Sequence, residues 1–331
     1  VRMATNYDYE DTLDLVKGYN QLGRAMGATT TEVTDSANAW LRQGKAIDET
    51  NNLIQSSIML SKIGNISAEN STKYLTSTLN GYQLQAEESL RVVSKLAAVD
   101  LQSASDAGGI AVSLSNTAAA ANMANISLDK TIGIIATIKD VTQDSDEAVG
   151  NAVKSILSRI NSIRAGKFVD SETGEALNDV EKVLNKVGIS MRDVNNQFLD
   201  GEIILDNINK KWSDLDKNSR LAVATAVAGT YQYNKFISLM ENYSSAIEYA
   251  NVAANSIGTA EQKFSAYLDS IEAKSKSLQA AFEVLAVNTF STELFGGIIE
   301  ATTSLITFLD KTNVLRSSLA GIAGAGAIKV F

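Results

Sequence analysis

The chain has 331 residues, 29 basic and 38 acidic side chains, a net charge of −9, 45% hydrophobic residues, and no His, Cys or Pro. Disulfides, thiol nucleophiles, zinc centres built on Cys and His, and His-based acid–base pairs are therefore excluded. An ordinary Pro usage of about 5% would supply roughly 17, so their absence marks regular backbone.

The acidic balance opposes any binding that must neutralise many phosphates, and residues 96–129 carry no Lys or Arg, so no nucleic-acid ligand is expected. The start Val1-Arg2-Met3 has neither an initiator Met nor an apolar leader, the pattern expected of an interior piece of a longer protein. Length alone gives a soft prior of about two domains.

From Leu13 to Ile163 one unit recurs: a polar or acidic opening, an amphipathic run, then Gly, Asn or Asp. The openings are Thr30-Thr31-Glu32, Ser67-Ala68-Glu69, Ala86-Glu87-Glu88, Ser103-Ala104-Ser105-Asp106, Ser127-Leu128-Asp129 and Ser145-Asp146-Glu147. Each predicts a helix start, because a short side-chain oxygen accepts from free backbone N–H groups and first-turn carboxylates suit the positive end of the helix. Val149, Val153, Ile156, Leu157 and Ile160 then fall on one helical face. Asn65-Ile66-Ser67-Ala68-Glu69 and Asn125-Ile126-Ser127-Leu128-Asp129 are the closest pair of copies. Short helices on short turns must run antiparallel, which predicts an all-α hairpin array over 1–165, too irregular to be a named repeat.

Residues 166–174 are turn-rich, and a second region, 166–215, begins there. Within it Val180, Val183, Leu184 and Val187 predict a helix that Gly188 stops. Asp200-Gly201 between apolar pairs predicts at most a small β-hairpin near 197–204. From 216 to 310 longer helices are expected, with apolar stripes Leu278, Ala281, Phe282, Leu285 and Phe295, Ile298, Ile299, Thr302, Leu305, Ile306, Leu309. Residues 311–331 open a Gly/Ala-rich apolar segment, whose uncharged run Ser317 to Ile328, 12 residues, is too short as given to span a bilayer at about 20.

No motif for catalysis or cofactor binding emerges. Asp144, Asp146 and Glu147, and Glu87 with Glu88, sit at predicted helix starts, where capping accounts for them. Phosphate-loop and calcium-loop spacings are missing, so no cofactor, metal or small-molecule substrate is expected. The 22 uncharged residues Ala107 to Leu128 are long enough to cross a membrane, but their Ser, Thr and Asn content predicts a tightly packed internal helix instead. The most distinctive stretch is Ala228 to Tyr243. Its candidate packing or partner-contact residues are Gly229, Tyr231, Tyr233, Phe236, Leu239, Met240 and Tyr243, read as core or as a groove for a partner helix.

Four features together resemble the central region of phage tail tape measure proteins of the siphophage TP901-like family: the repeated Ile-Ser-x-[Asp/Glu] openings; the run Val149-Gly150-Asn151-Ala152 to Leu157-Ser158-Arg159-Ile160; Leu184-Asn185-Lys186-Val187-Gly188-Ile189 with Asp200-Gly201 and Ile208-Asn209-Lys210-Lys211-Trp212; and Ala228-Gly229-Thr230-Tyr231-Gln232-Tyr233-Asn234-Lys235-Phe236. The resemblance implies a non-enzymatic structural virion protein in the lumen of the tail, present in the host cytoplasm during assembly, which templates tube length and leaves during genome ejection. It implies three or six copies, tube and tip proteins as partners, and contact with the host membrane during ejection. A ruler segment would lie outside these residues, since short hairpins do not measure distance. The competing readings are a helical adaptor or secreted interaction protein and a membrane-active pore-forming protein, with an enzyme the weakest.

Overall fold

Helices begin where the polar openings predict them. Thr29, Ser67, Asp106 and Ser127 each accept from a backbone N–H three residues on, and the Glu32 carboxylate returns a bond from the Thr29 N–H (2.8 Å), which closes a capping box.

The computed structural model describes residues 9–45, 47–164 and 178–289, and among these it is all-α, with 14 helices and no strand. In chain order they are α1 (Tyr9–Ala25), α2 (Thr30–Leu41), α3 (Ile47–Ile63), α4 (Ala68–Tyr82), α5 (Ser89–Asp100), α6 (Ala107–Met123), α7 (Leu128–Thr142), α8 (Asp146–Arg164), α9 (Asn178–Lys186), α10 (Gly201–Trp212), α11 (Lys217–Glu241), α12 (Tyr243–Ala254), α13 (Thr259–Leu268) and α14 (Ile271–Thr289). The turn-rich stretch 166–174, the stripe 295–309 and the Gly/Ala-rich 311–331 lie outside the described residues.

One three-residue turn recurs through the first part of the chain. Its first residue takes a left-handed conformation, its second is apolar, and its third is polar: Gly27-Ala28-Thr29, Asn65-Ile66-Ser67, Gln83-Leu84-Gln85, Asn125-Ile126-Ser127 and Gly188-Ile189-Ser190. In all five the apolar residue's N–H returns to a carbonyl five residues earlier, at 2.8–3.0 Å (Ala28 to Gly23, Ile66 to Ser61, Leu84 to Leu79, Ile126 to Ala121, Ile189 to Leu184). This bond satisfies a carbonyl the helix end leaves open, and the apolar side chain turns inward. Ala28, Ile126 and Ile189 are buried. At Thr29, Ser67 and Ser127 the third residue caps the next helix; at Ser190 no helix follows, and the hydroxyl instead bonds the Arg192 main chain.

The centre of the array is α6, packed between α4 and α8 with α7 alongside. Residues Ala107 to Leu128 thus supply an internal helix and the turn after it, and no described helix is long and apolar enough to cross a membrane. The polar residues of α6 find partners: the Ser113 hydroxyl donates to the Asp146 carbonyl (2.6 Å), and that of Thr117 donates to the Ser113 carbonyl (2.7 Å). All five residues of the stripe from Val149 to Ile160 are at most 3% exposed. At about 1.5 to 3 kcal/mol for each fully buried large aliphatic side chain, such faces hold the array together.

Asp200-Gly201 does not turn a hairpin. Asp200 precedes α10, and the Gly201 N–H donates to the Ala124 carbonyl at 2.7 Å, so close that a Cβ on Gly201 would overlap the α6 terminus. A small antiparallel pairing occurs earlier, as a single bridge between Arg192 and Phe198 with Leu199 N–H to Met191 carbonyl at 2.9 Å.

The longest element, α11, is interrupted. Gly229 has φ 74° and ψ 174°, so the residues before and after it form two helical segments meeting at a kink. From there the chain runs back over the array: α12 lies on α7 and α5, α13 on α5 and α3, and α14 on α1.

Candidate functional site

The stretch 228–243 is built around that break. The Arg159 side chain of α8, in a residue only 5% exposed, lies beneath Gly229; a Cβ there would stand 3.2 Å from Nη1. Its Nη2 donates to the Ala226 carbonyl (3.3 Å), an acceptor the kink takes off the helical ladder. A backbone in this region of φ/ψ is tolerated essentially by glycine alone.

The seven candidate residues separate into four environments. Phe236, Leu239, Met240 and Tyr243 are in the protein's own core, at 0–2% exposure, with Phe236 edge-on to Trp212 at 6.1 Å between centroids. Tyr233 is half-buried and packs against the same core. Tyr231 is 80% exposed, and Gly229 is the kink itself.

Sequence reasoning missed the charged residues that tie the returning helices down. The Tyr243 hydroxyl donates to Asp206 (2.8 Å), Lys130 pairs with the same carboxylate oxygen (2.9 Å), and the Lys130 ammonium lies 4.7 Å from the Tyr243 ring centre. Burial, with the Asp206 charge beside it, pushes the Tyr243 phenol well above its ordinary range, so it stays a neutral donor. Lys95 is 2.5 Å from Asp129 and donates to the Ala253 carbonyl, Lys263 pairs with Asp100 (2.5 Å), Lys235 with Asp144 (3.0 Å), and the Tyr249 hydroxyl donates to Asp140 (2.7 Å).

At the other end Glu32 receives both Lys62 (2.6 Å) and Lys276 (3.0 Å). Burial alone would raise the Glu32 carboxyl; the Lys62 ammonium, the Thr29 N–H and Lys276 outweigh it and hold it at about 2. Burial depresses Lys62 from its ordinary value, while the flanking Glu272 and Glu32 raise Lys276 against its own burial. Nothing in the sequence marks these lysines, because the carboxylates that Lys95 and Lys130 pair with come from other helices.

This arrangement binds helices to helices. Three of the carboxylates at the helix starts pair with a nearby cation: Asp146 with Lys139 (2.7 Å), Asp144 with Lys235, and Glu88 with Arg91 (3.2 Å). Among the described residues no three His, Cys, Asp or Glu side chains are placed to hold a metal ion. The fold and its polar ties are those of a helical packing protein. Comparison with known families then gives the lineage: the chain belongs to the phage-related minor tail protein family, whose match covers residues 17–229, more than half its length. It is a structural component of a phage tail, and the matched region runs from α1 to the break at Gly229. No solved structure matches it.

Proposed function

We propose that this chain is part of a tape measure protein, lying in the lumen of the tail, templating tube length and leaving with the genome. The observation that carries the reading is membership of the minor tail protein family across 17–229. The order of motifs resembling the TP901-like central region refines it. A net charge of −9 suits a guest in a channel that must later pass a polyanion, since like charge discourages adhesion.

The described residues are hairpins rather than one extended rod of about 1.5 Å per residue, so the ruler lies elsewhere in the protein and this part is a folded body within it. Three or six copies, contacts with tube and tip proteins, and an encounter with the host membrane during ejection belong to the same reading.

Antibody or protease accessibility in intact and emptied virions tests it. The chain is expected to be shielded in full particles and absent from tails that have ejected their DNA. Accessibility on intact particles, or retention in emptied tails, would overturn the reading. The charge argument has its own test: tight duplex binding by the isolated chain with a steep salt dependence would refute it.

A further inference from the structure

The first eight helices repeat with a period of 60 residues. That step carries α3 (Ile47–Ile63) onto α6 (Ala107–Met123) and α4 (Ala68–Tyr82) onto α7 (Leu128–Thr142), with no residue gained or lost. The joint moves with them, Asn65-Ile66-Ser67 onto Asn125-Ile126-Ser127, and so does the left-handed residue after each pair, Gln83 onto Gln143. Ile66 and Ile126 return their N–H groups to equivalent carbonyls, those of Ser61 and Ala121, both at 3.0 Å. The same step lays α1 and α2 on α4 and α5 to within three residues, places α5 inside α8, and brings the short 3-10 turn Ala86–Glu88 onto the first turn of α8.

Burial keeps the same step. Ile54, Ser57 and Ile58 of α3 are at most 1% exposed, and so are Leu114, Thr117 and Ala118 of α6. Val33, Val93 and Val153 hold one place in α2, α5 and α8, all three at most 1% exposed. Contacts between helices agree. The Ser56 hydroxyl meets that of Ser89 where α3 packs on α5 (2.9 Å), and the Thr117 hydroxyl donates to the Gly150 carbonyl where α6 packs on α8 (3.2 Å), one residue further along each helix. One residue more or less in any helix or turn would rotate the following buried face by about 100°. Unrelated amphipathic helices share the rhythm of about 3.6 residues, but not one common step through five pairs of helices and their joints. Side chains differ between the copies, as Leu53 does from Ser113, while length, joint and phase are kept. We infer that residues 9–164 are copies of one three-helix unit: 9–67, 68–127, and two helices of a third, α7 and α8. In a stacked array each unit packs on its neighbour, so the body accepts a further whole unit at the Ser127 joint.

The test adds a unit to the full chain. A second copy of residues 68–127 is inserted after Ser127, so that Ala68 of the copy and Leu128 each follow Asn-Ile-Ser. The control inserts residues 86–145 at the same place: equal length and whole helices α5 to α7, with their starts and stops intact, but in the wrong order for the period. Hydrogen exchange read by mass spectrometry distinguishes the outcomes, because both copies of a segment yield the same peptides. In the first variant, peptides of 107–123 should exchange as one protected population, as in the natural chain. Helix α14 should lose protection, since Glu32, which receives Lys276, then lies one unit further from the arm. In the control, the same peptides should split into two populations, one of them unprotected. A split in the first variant with α14 still protected would mean that the added residues loop out, and would overturn the proposal. So would general loss of protection in the first variant, or a single protected population in the control.

Discussion

The central array and the returning arm of α12–α14 are both helical, yet they are held by different forces. Helices α5 to α8 bury Val92, Val93, Leu96, Ile132, Ile134, Ile135, Ile138 and the stripe from Val149 to Ile160. The arm buries chiefly Ala246, Ala253, Ala260, Ala273 and Ala280, with Tyr243 and Phe264 as its large anchors, and is fastened by the ion pairs and tyrosine hydrogen bonds of Lys95, Lys263, Lys276, Tyr243, Tyr249 and Tyr267. Aliphatic burial carries no titratable group and no charge to be screened, whereas these ion pairs respond to pH and to ionic screening. The contrast teaches that the arm can be loosened under conditions that leave the array folded. Native-state hydrogen exchange should show amides of 243–283 opening before those of 107–160.

The largest expected effect is in the array. Leu114 is fully buried in α6, and Leu114→Ala should cost about 2 to 5 kcal/mol in denaturant unfolding, with array and arm lost together. A loss well under that range would show that the array does not depend on aliphatic packing.

Acid should act on the arm first. The Glu32 carboxyl lies at about 2 against an ordinary 4.5, so its contribution is complete above about 4.5 and is lost as pH falls towards 2. Solvent screening at this partly exposed carboxylate reduces that contribution to about 1 to 2 kcal/mol. Glu32→Gln should lower stability at pH 7 by a comparable amount and converge on the wild type by pH 2, with faster exchange in α14; urea midpoints at several pH values measure this.

Gly229→Ala should cost about 1 to 3 kcal/mol, because a side chain at φ 74° is strained and its Cβ would press on Arg159. Increased exchange confined to residues on either side of 229 would place the kink as the junction between the two regions. Tyr243→Phe is the mildest change. It removes one hydrogen bond and leaves Lys130 on Asp206, so a loss of about 0.5 to 1.5 kcal/mol is expected, with Asp129→Asn as a comparison on the neighbouring Lys95 tie.

Much of the array was legible before any coordinates. Capping oxygen atoms and left-handed Asn or Gly residues act locally, so Ser67, Ser127, Gly188 and Asn125 announce their roles from their own neighbourhood. The stripe from Val149 to Ile160 was readable for the same reason.

Asp200-Gly201 misled because a tight turn and a helix start use the same residues, and the deciding contact, with the Ala124 carbonyl, is 77 residues away in sequence. The kink at Gly229 was hidden in a run of small residues, and its partner Arg159 comes from another helix. Periodicity also located the apolar face of α14 without saying which way it points, since alanines on the opposite side make the closer contact. Of the candidate stretch, Phe236, Leu239, Met240 and Tyr243 follow the helical spacing, while Asp206, Lys130 and Arg159 needed the folded chain to come into view.

The recurring left-handed, apolar, polar joint has an evolutionary corollary. Helix α4 carries this joint at both of its ends, Asn65-Ile66-Ser67 and Gln83-Leu84-Gln85, so it is a cassette whose two ends are chemically alike. Duplication or loss of such a cassette preserves a closed backbone at the splice, so a lineage can lengthen or trim the body of this protein by whole steps without inventing new junctions.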